Sequence, residues 1–250
     1  MKIQEFSDTF DTLLNSYANR IEAGSEHSRA DVALNEYEKS VFLTKAQEQL
    51  VISFYSGRNS MGTSFEETEE MRRYLAPLVK EAYPNPVLNT SGKQIGMGNS
   101  KFYSLPKDCW FITYESYSVT RSEGKCAGEA VLDVVPVTQD EYHKIKRNPF
   151  RGANSRRALR LDLSERVVEI VCKSDSTSNT PYYIRYLKRP NPIVLIDLSD
   201  TAFSGEDMDY LKVGEDLGPS ECELPEALHQ TIVESAVMLA LRSKGIKTND

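Results

Sequence analysis

The sequence predicts an α+β chain: a helical bundle built from N-terminal helices plus a C-terminal helix, with an inserted, mostly antiparallel β-sheet domain. Three observations carry this. Apolar residues recur at three- and four-residue steps near both ends of the chain, the period of a helix with one buried face. In the middle the period drops to two, the mark of half-buried strands. Strand-like runs follow one another with loops between them, which favours antiparallel pairing. The resulting divisions are a helical part at 1–86, a β-rich part with one short helix at 87–222, and a closing helix at 223–250 that packs on the first helices.

The first helix is read from Ile3, Phe6, Phe10, Leu13, Tyr17 and Ile21, with Gly24 as its stop. A second should run from about Leu34 to Tyr55. Its stripe is Tyr37, Val41, Ala46, Leu50 and Phe54, and Gly57 suits the left-handed position after its end. Ser64-Phe65-Glu66-Glu67 fits a capping box that would start a third helix reaching about Ala82, kinked or broken at Pro77. Residues 87–100, rich in Gly, Ser, Asn and Thr, read as a loop or hairpin. Strands are expected at Trp110–Tyr114, around Leu159, Leu161 and Leu163, at Val167–Val171, at Tyr182–Leu187 and at Ile193–Ile196. A second capping box, Thr138 to Glu141, opens a short helix through Lys146. The last helix takes Pro225 in its first turn and sets Leu224, Leu228, Ile232, Ala236, Leu239 and Ala240 on one face, with Arg242 and Lys244 near its end and Gly245 as its stop.

The composition gives little support to catalysis. The chain has 250 residues and a formal net charge of -7, with 40% hydrophobic and 27% charged residues, ordinary for a soluble protein. No apolar run approaches the roughly 20 residues of a membrane span, and the first residues show no leader pattern. Cys109, Cys126, Cys172 and Cys222 form no Cys-x-x-Cys pair and read as reduced, semi-buried thiols. His27, His143 and His229 lie far apart, so no metal site, cofactor site or catalytic residue is expected; His229 reads as a helix-packing residue. Gly96-Met97-Gly98 lacks the third glycine and flanking elements of a nucleotide loop.

Charge distribution is more informative. Lys144, Lys146, Arg147, Arg151, Arg156, Arg157 and Arg160 crowd residues 144–160 with no acid among them. Residues 197–226 run the other way, with Asp207, Asp209, Glu215 and Asp216 among many acids and Lys212 as their one base. The basic stretch could contact nucleic-acid phosphates. It could be a solvated loop. Or it could dock on the acidic stretch of another copy, in a head-to-tail interface of the kind that closes rings.

Several stretches, taken in order, resemble a known family. They are Leu34–Glu48, Pro136–Tyr142 with Asn148–Gly152, Tyr183–Pro190, and Cys222–Glu226 with the helix that follows. Together they resemble a virion structural protein of crAss-like bacteriophages, the tailed phages of gut Bacteroidetes. That resemblance implies a ring protein of the head-to-tail connector, dodecameric, set below the portal protein and lining the genome ejection channel. It implies contacts with further copies of itself, with the portal and with neighbouring ring or tail proteins, while DNA and cargo pass without specific binding. It also implies no active site, no cofactor, no membrane contact, and a place in the virion after assembly in the host cytoplasm. The alternatives are another tail-hub or lower ring protein, or a nucleic-acid-binding protein that uses residues 144–160. The Gly-rich loop at 92–98 becomes a candidate contact with a neighbouring ring.

The docking reading makes a direct prediction. Reversing charge at Arg156 and Arg157 to Glu should weaken self-association measured by sedimentation; association that survives unchanged would remove the reading.

Overall fold

The computed structural model describes residues 1–22, 33–59, 62–88, 100–121, 128–164, 166–173, 181–199, 210–212 and 218–244. It divides into two compact units. One joins Met1–Leu78 to Pro190–Asp250, and the other is Val79–Arg189. The expected mixture of terminal helices and an inserted, mostly antiparallel sheet is what the chain forms.

In the first unit, helix α1 spans Ile3–Glu22, α2 Glu36–Ser56, α3 Glu69–Leu75 and α5 His229–Ser243. Asn35 caps α2: its side chain accepts from the Glu38 amide at 2.7 Å, and Glu38 reaches back to the Asn35 amide at 3.0 Å. Gly57 ends α2 at φ 72°, a conformation that costs glycine nothing. Phe6 and Phe10 of α1 are buried as expected, but Leu14 takes the buried place instead of Leu13. Helix α5 packs on α1 and α2 through Ile232, Val233, Ala236, Val237, Ala240 and Leu241, and Leu239 is only half-buried. His229 is indeed a packing residue, 4% exposed and tilted against Phe6. Its Nδ1 accepts from the Met1 amine at 2.8 Å while its Nε2 donates to the Leu224 carbonyl at 2.9 Å. Gly24 and Gly245 lie outside the described residues.

Three expectations fail here. Half of the Ser64–Glu67 box forms: the Ser64 amide donates to the Glu67 carboxylate at 2.7 Å, but the Glu67 amide donates to the Ser64 backbone carbonyl at 3.1 Å, and the segment closes only a turn. Thr68 caps α3 instead, and the helix stops at Leu75, two residues before Pro77. Residues 79–82, expected as helix, are a strand. The Ile193–Ile196 run forms no strand; it makes one isolated bridge, Val194 to Ser220, and otherwise lies along α2.

That last arrangement explains the phase of α2. The Thr44 hydroxyl accepts from the Ile193 amide at 3.1 Å and donates to its carbonyl at 3.3 Å. The Leu195 amide donates to Ser40 at 2.9 Å, and Gln47 donates to the Asn191 carbonyl at 3.2 Å. Polar side chains on α2 therefore stand in for a neighbouring strand, because buried backbone groups need partners. The helix buries Ser40, Thr44 and Gln47 beside Leu43, Ala46 and Val51. Of the expected stripe only Ala46 is fully buried; Tyr37, Val41, Leu50 and Phe54 are half-buried.

The second unit is one eight-stranded sheet in the order β1-β8-β4-β5-β6-β7-β3-β2. The strands are β1 Val79–Ala82, β2 Asn85–Val87, β3 Lys101–Ser104, β4 Cys109–Arg121, β5 Gly128–Val137, β6 Arg157–Asp162, β7 Val167–Val171 and β8 Tyr182–Lys188. Every pairing is antiparallel except β5 with β6. Eight flat strands would hold β1 and β2 roughly 34 Å apart. Only Tyr83 and Pro84 separate those two edge strands in sequence, so Ala82 and Asn85 can be at most about 11 Å apart. The sheet must therefore roll up. Contacts across the roll show it: Tyr103 of β3 meets Tyr182 of β8 at 5.1 Å and the edge of Tyr117 of β4 at 6.1 Å. The rolled interior holds these tyrosines with Val119, Leu132, Ala158, Val168, Ile170 and Ile184.

The network that joins α1 to α2 gives a stability prediction. Lys39, with a side chain 4% exposed, holds Asp11 at 2.7 Å and Glu36 at 2.9 Å, and donates to Ser7 at 3.1 Å. The two carboxylates are about half-exposed and can rehydrate, whereas the ammonium cannot. Removing both acids (Asp11→Asn with Glu36→Gln) should cost on the order of 3 kcal/mol or more, and Lys39→Met less. Urea denaturation of the two variants checks the order; the reverse order would refute it.

Candidate functional site

A parallel strand pair cannot be closed by a hairpin. The β5–β6 connection is therefore long, and it carries the basic stretch. Thr138 caps helix α4, Gln139–Ile145, by accepting from the Glu141 amide at 3.2 Å. Tyr142 and Ile145 bury one face of α4 against Leu159, Leu161 and Val171 on the outside of the rolled sheet. The chain then turns back to β6 within residues 146–156, and a series of hydrogen bonds holds the turn.

Two asparagines organise it. The Asn148 side chain accepts from the amides of Phe150 at 2.9 Å and Arg151 at 3.2 Å. The Asn154 side chain accepts from the amides of Arg156 at 2.9 Å and Arg157 at 3.1 Å. The Gly152 amide closes onto the Asn148 carbonyl at 2.8 Å. A Cβ at Gly152 would lie 2.7 Å from that carbonyl oxygen and 2.9 Å from the Ile145 carbonyl oxygen, so only glycine fits. The Arg157 guanidinium donates to the Phe150 carbonyl at 3.2 Å and ties the tip to the base.

The seven cations thus divide by task. Lys144, Lys146, Arg147, Arg151 and Arg156 are exposed. Arg157 is half-buried and braces the turn. Arg160 turns inward, its side chain 12% exposed: it holds Glu115 at 2.5 Å and Asp162 at 3.0 Å, and Tyr182 donates to Glu115 at 2.6 Å. Burial pushes the Glu115 carboxyl above its usual range, against the pull of the Arg160 charge. Phe150 stands at the tip of the turn with 85% of its surface exposed. The sequence signal for this exposed tip is the Asn-Pro-Phe-Arg-Gly order, a turn sequence with a bulky apolar residue at its centre.

The acidic partners of the hypothesis, Asp207, Asp209, Glu215 and Asp216, lie outside the described residues, as does the Gly-rich loop at 92–98. The described part between them is anchored. Leu211 is buried, and Tyr210 donates to Glu48 of α2 at 2.9 Å. Glu223 is engaged internally, accepting from Asn191 at 3.0 Å. Among the described residues no group of three or more His, Cys, Asp and Glu side chains is placed to hold a metal ion. Cys109, Cys172 and Cys222 are free thiols, and burial pushes Cys109 and Cys222 up to about 11, so neither is a ready nucleophile near neutral pH. Among the described residues no helix is long and apolar enough to cross a membrane.

A bonded turn that exposes Phe150 and five cations is a surface for docking on another macromolecule, not a catalytic centre. Comparison with known proteins specifies the class. Residues 1–250 match the family model described as "Phage tail ring protein 3/4". The chain is 42% identical over 245 residues to "Ring protein 3" of Bacteroides phage crAss001, covering 98% of this chain and 96% of that protein. It is 30% identical over 249 residues to "Ring protein 4/5" of the same phage, covering 96% and 92%. The chain belongs to the crAss-like phage tail ring protein 3/4 family, and its role is structural, in the ring and connector part of the virion.

Gly152→Ala tests the turn. It should destabilise the second unit by about 1–3 kcal/mol through overpacking and expose Arg147 and Arg151 to faster tryptic cleavage. An unchanged melt and an unchanged cleavage rate would sink this account.

Proposed function

We propose that the protein forms a closed ring of like subunits, a dodecamer, in the head-to-tail connector below the portal, and that the ring lines the passage through which the genome leaves. The family membership carries the reading, because both relatives are named as ring proteins over nearly their whole length. The charge distribution supports it. A net charge of -7 gives a passage wall that repels DNA phosphates and does not hold the genome back. The exposed cations of the basic turn then face a neighbouring subunit and not the passage. The portal and the adjacent rings are the other partners in this reading.

The experiment is quantitative mass spectrometry of purified particles, counting this chain against the portal protein. A ratio near one is expected for rings of equal subunit number stacked on each other. Absence of the chain from the particle would end the reading.

A further inference from the structure

The apolar stripe that α2 leaves half-buried is not idle surface. Tyr37, Glu38, Val41 and Phe42 of α2, with Tyr210 from the anchored acidic segment and Ser243 and Lys244 at the end of α5, line an open cavity of about 500 Å³. Its walls are mainly aromatic and aliphatic, with Glu38 and Lys244 as the charged groups. An apolar cavity of about 150 Å³ already accepts a benzene ring, so this one has room for a phenyl ring and the backbone that carries it. In the chain, Tyr210 follows Glu206, Asp207 and Asp209 and precedes Glu215 and Asp216.

The second unit carries a candidate plug: Phe150, 85% exposed, with the exposed Lys144, Lys146, Arg147, Arg151 and Arg156 flanking it in sequence. We infer that Phe150 of one copy seats in the cavity lined by Tyr37, Val41, Phe42 and Tyr210 of the next copy in the ring. This inference rests on the ring reading and names its interface. Charge complementarity selects the occupant, since an aromatic flanked in sequence by cations meets an apolar socket that holds Glu38 and whose Tyr210 belongs to an acidic stretch of the sequence. Aromatic and arginine side chains that fill pockets carry most of the binding energy of interfaces. Because plug and socket lie on different parts of the chain, each copy offers one of each. The contact is therefore head-to-tail and can close a ring. Asn148, Asn154, Gly152 and Arg157 fix the turn before contact, which lowers the ordering cost of docking.

The test is zero-length carbodiimide coupling of lysine to carboxylate, run on purified particles and on the dilute, monomeric full-length chain. Links from Lys144 or Lys146 to Glu38 are expected in particles and not in the monomer. In particles assembled with Phe150→Asp, the yield of these links should fall roughly tenfold, while the melt of the purified variant stays unchanged because the side chain is exposed. Val41→Lys should do the same from the socket side. Particles that contain the chain at ring stoichiometry, but whose Lys144 and Lys146 couple elsewhere or not at all, overturn the docking and leave the ring role standing. Particles without the chain overturn both. Salt-sensitive DNA binding that Phe150→Asp abolishes would assign the turn to nucleic acid and overturn the docking as well.

Discussion

Two residues set the geometry of the inserted unit. Tyr83 and Pro84 are all that separates the strands at opposite ends of an eight-strand order. That covalent constraint rolls the sheet and gives it an inside, and the inside has to be filled. Tyrosines fill it, and each buried hydroxyl then needs a partner. Tyr182 finds Glu115, and Glu115 in turn holds Arg160. Burying this group of charges is tolerable because each answers another. The sequence order also leaves β5 and β6 parallel, and their crossover delivers the basic turn to the outer surface, pinned by α4.

The helical unit follows a different economy of hydrogen bonds. The returning chain at 191–195 has strand-like composition but no strand partner along most of its length. Ser40, Thr44 and Gln47 supply what a ladder would have supplied. Turning those polar residues inward rotates α2, and its aromatic edge faces outward as a consequence. The cavity beside Tyr37 and Val41 is thus a by-product of how the backbone at 191–195 is satisfied.

Much of this was legible in the sequence where the signal is local. The helix starts at Thr138, the stop at Gly57 and the strands at Val167–Val171 and Tyr182–Lys188 all follow from neighbours a few residues apart. What was not legible depends on partners far along the chain. The short strands β1 and β2 carry three or four residues each, too few for a period to show. Strand β5 has no clear apolar run although Ala130, Leu132 and Val134 alternate inward, because charged and exposed residues interleave them. Hydrophobic periodicity alone misplaces the phase of α2, because it cannot foresee that Thr44 serves Ile193, 149 residues away. The basic stretch was visible as charge, but its division of labour was not. Nothing local separates Arg160, drawn inward to Glu115, from Arg156, which stays outside.

The same corner that rolls the sheet has a bearing on solubility. An open sheet ends in two rows of unused amide and carbonyl groups, and such rows recruit other chains into aggregates. Here the terminal strands are only four and three residues long, and the second contains Pro86, which has no amide hydrogen to offer. Whatever comes up against these edges meets side chains to dock on and very little naked backbone to extend.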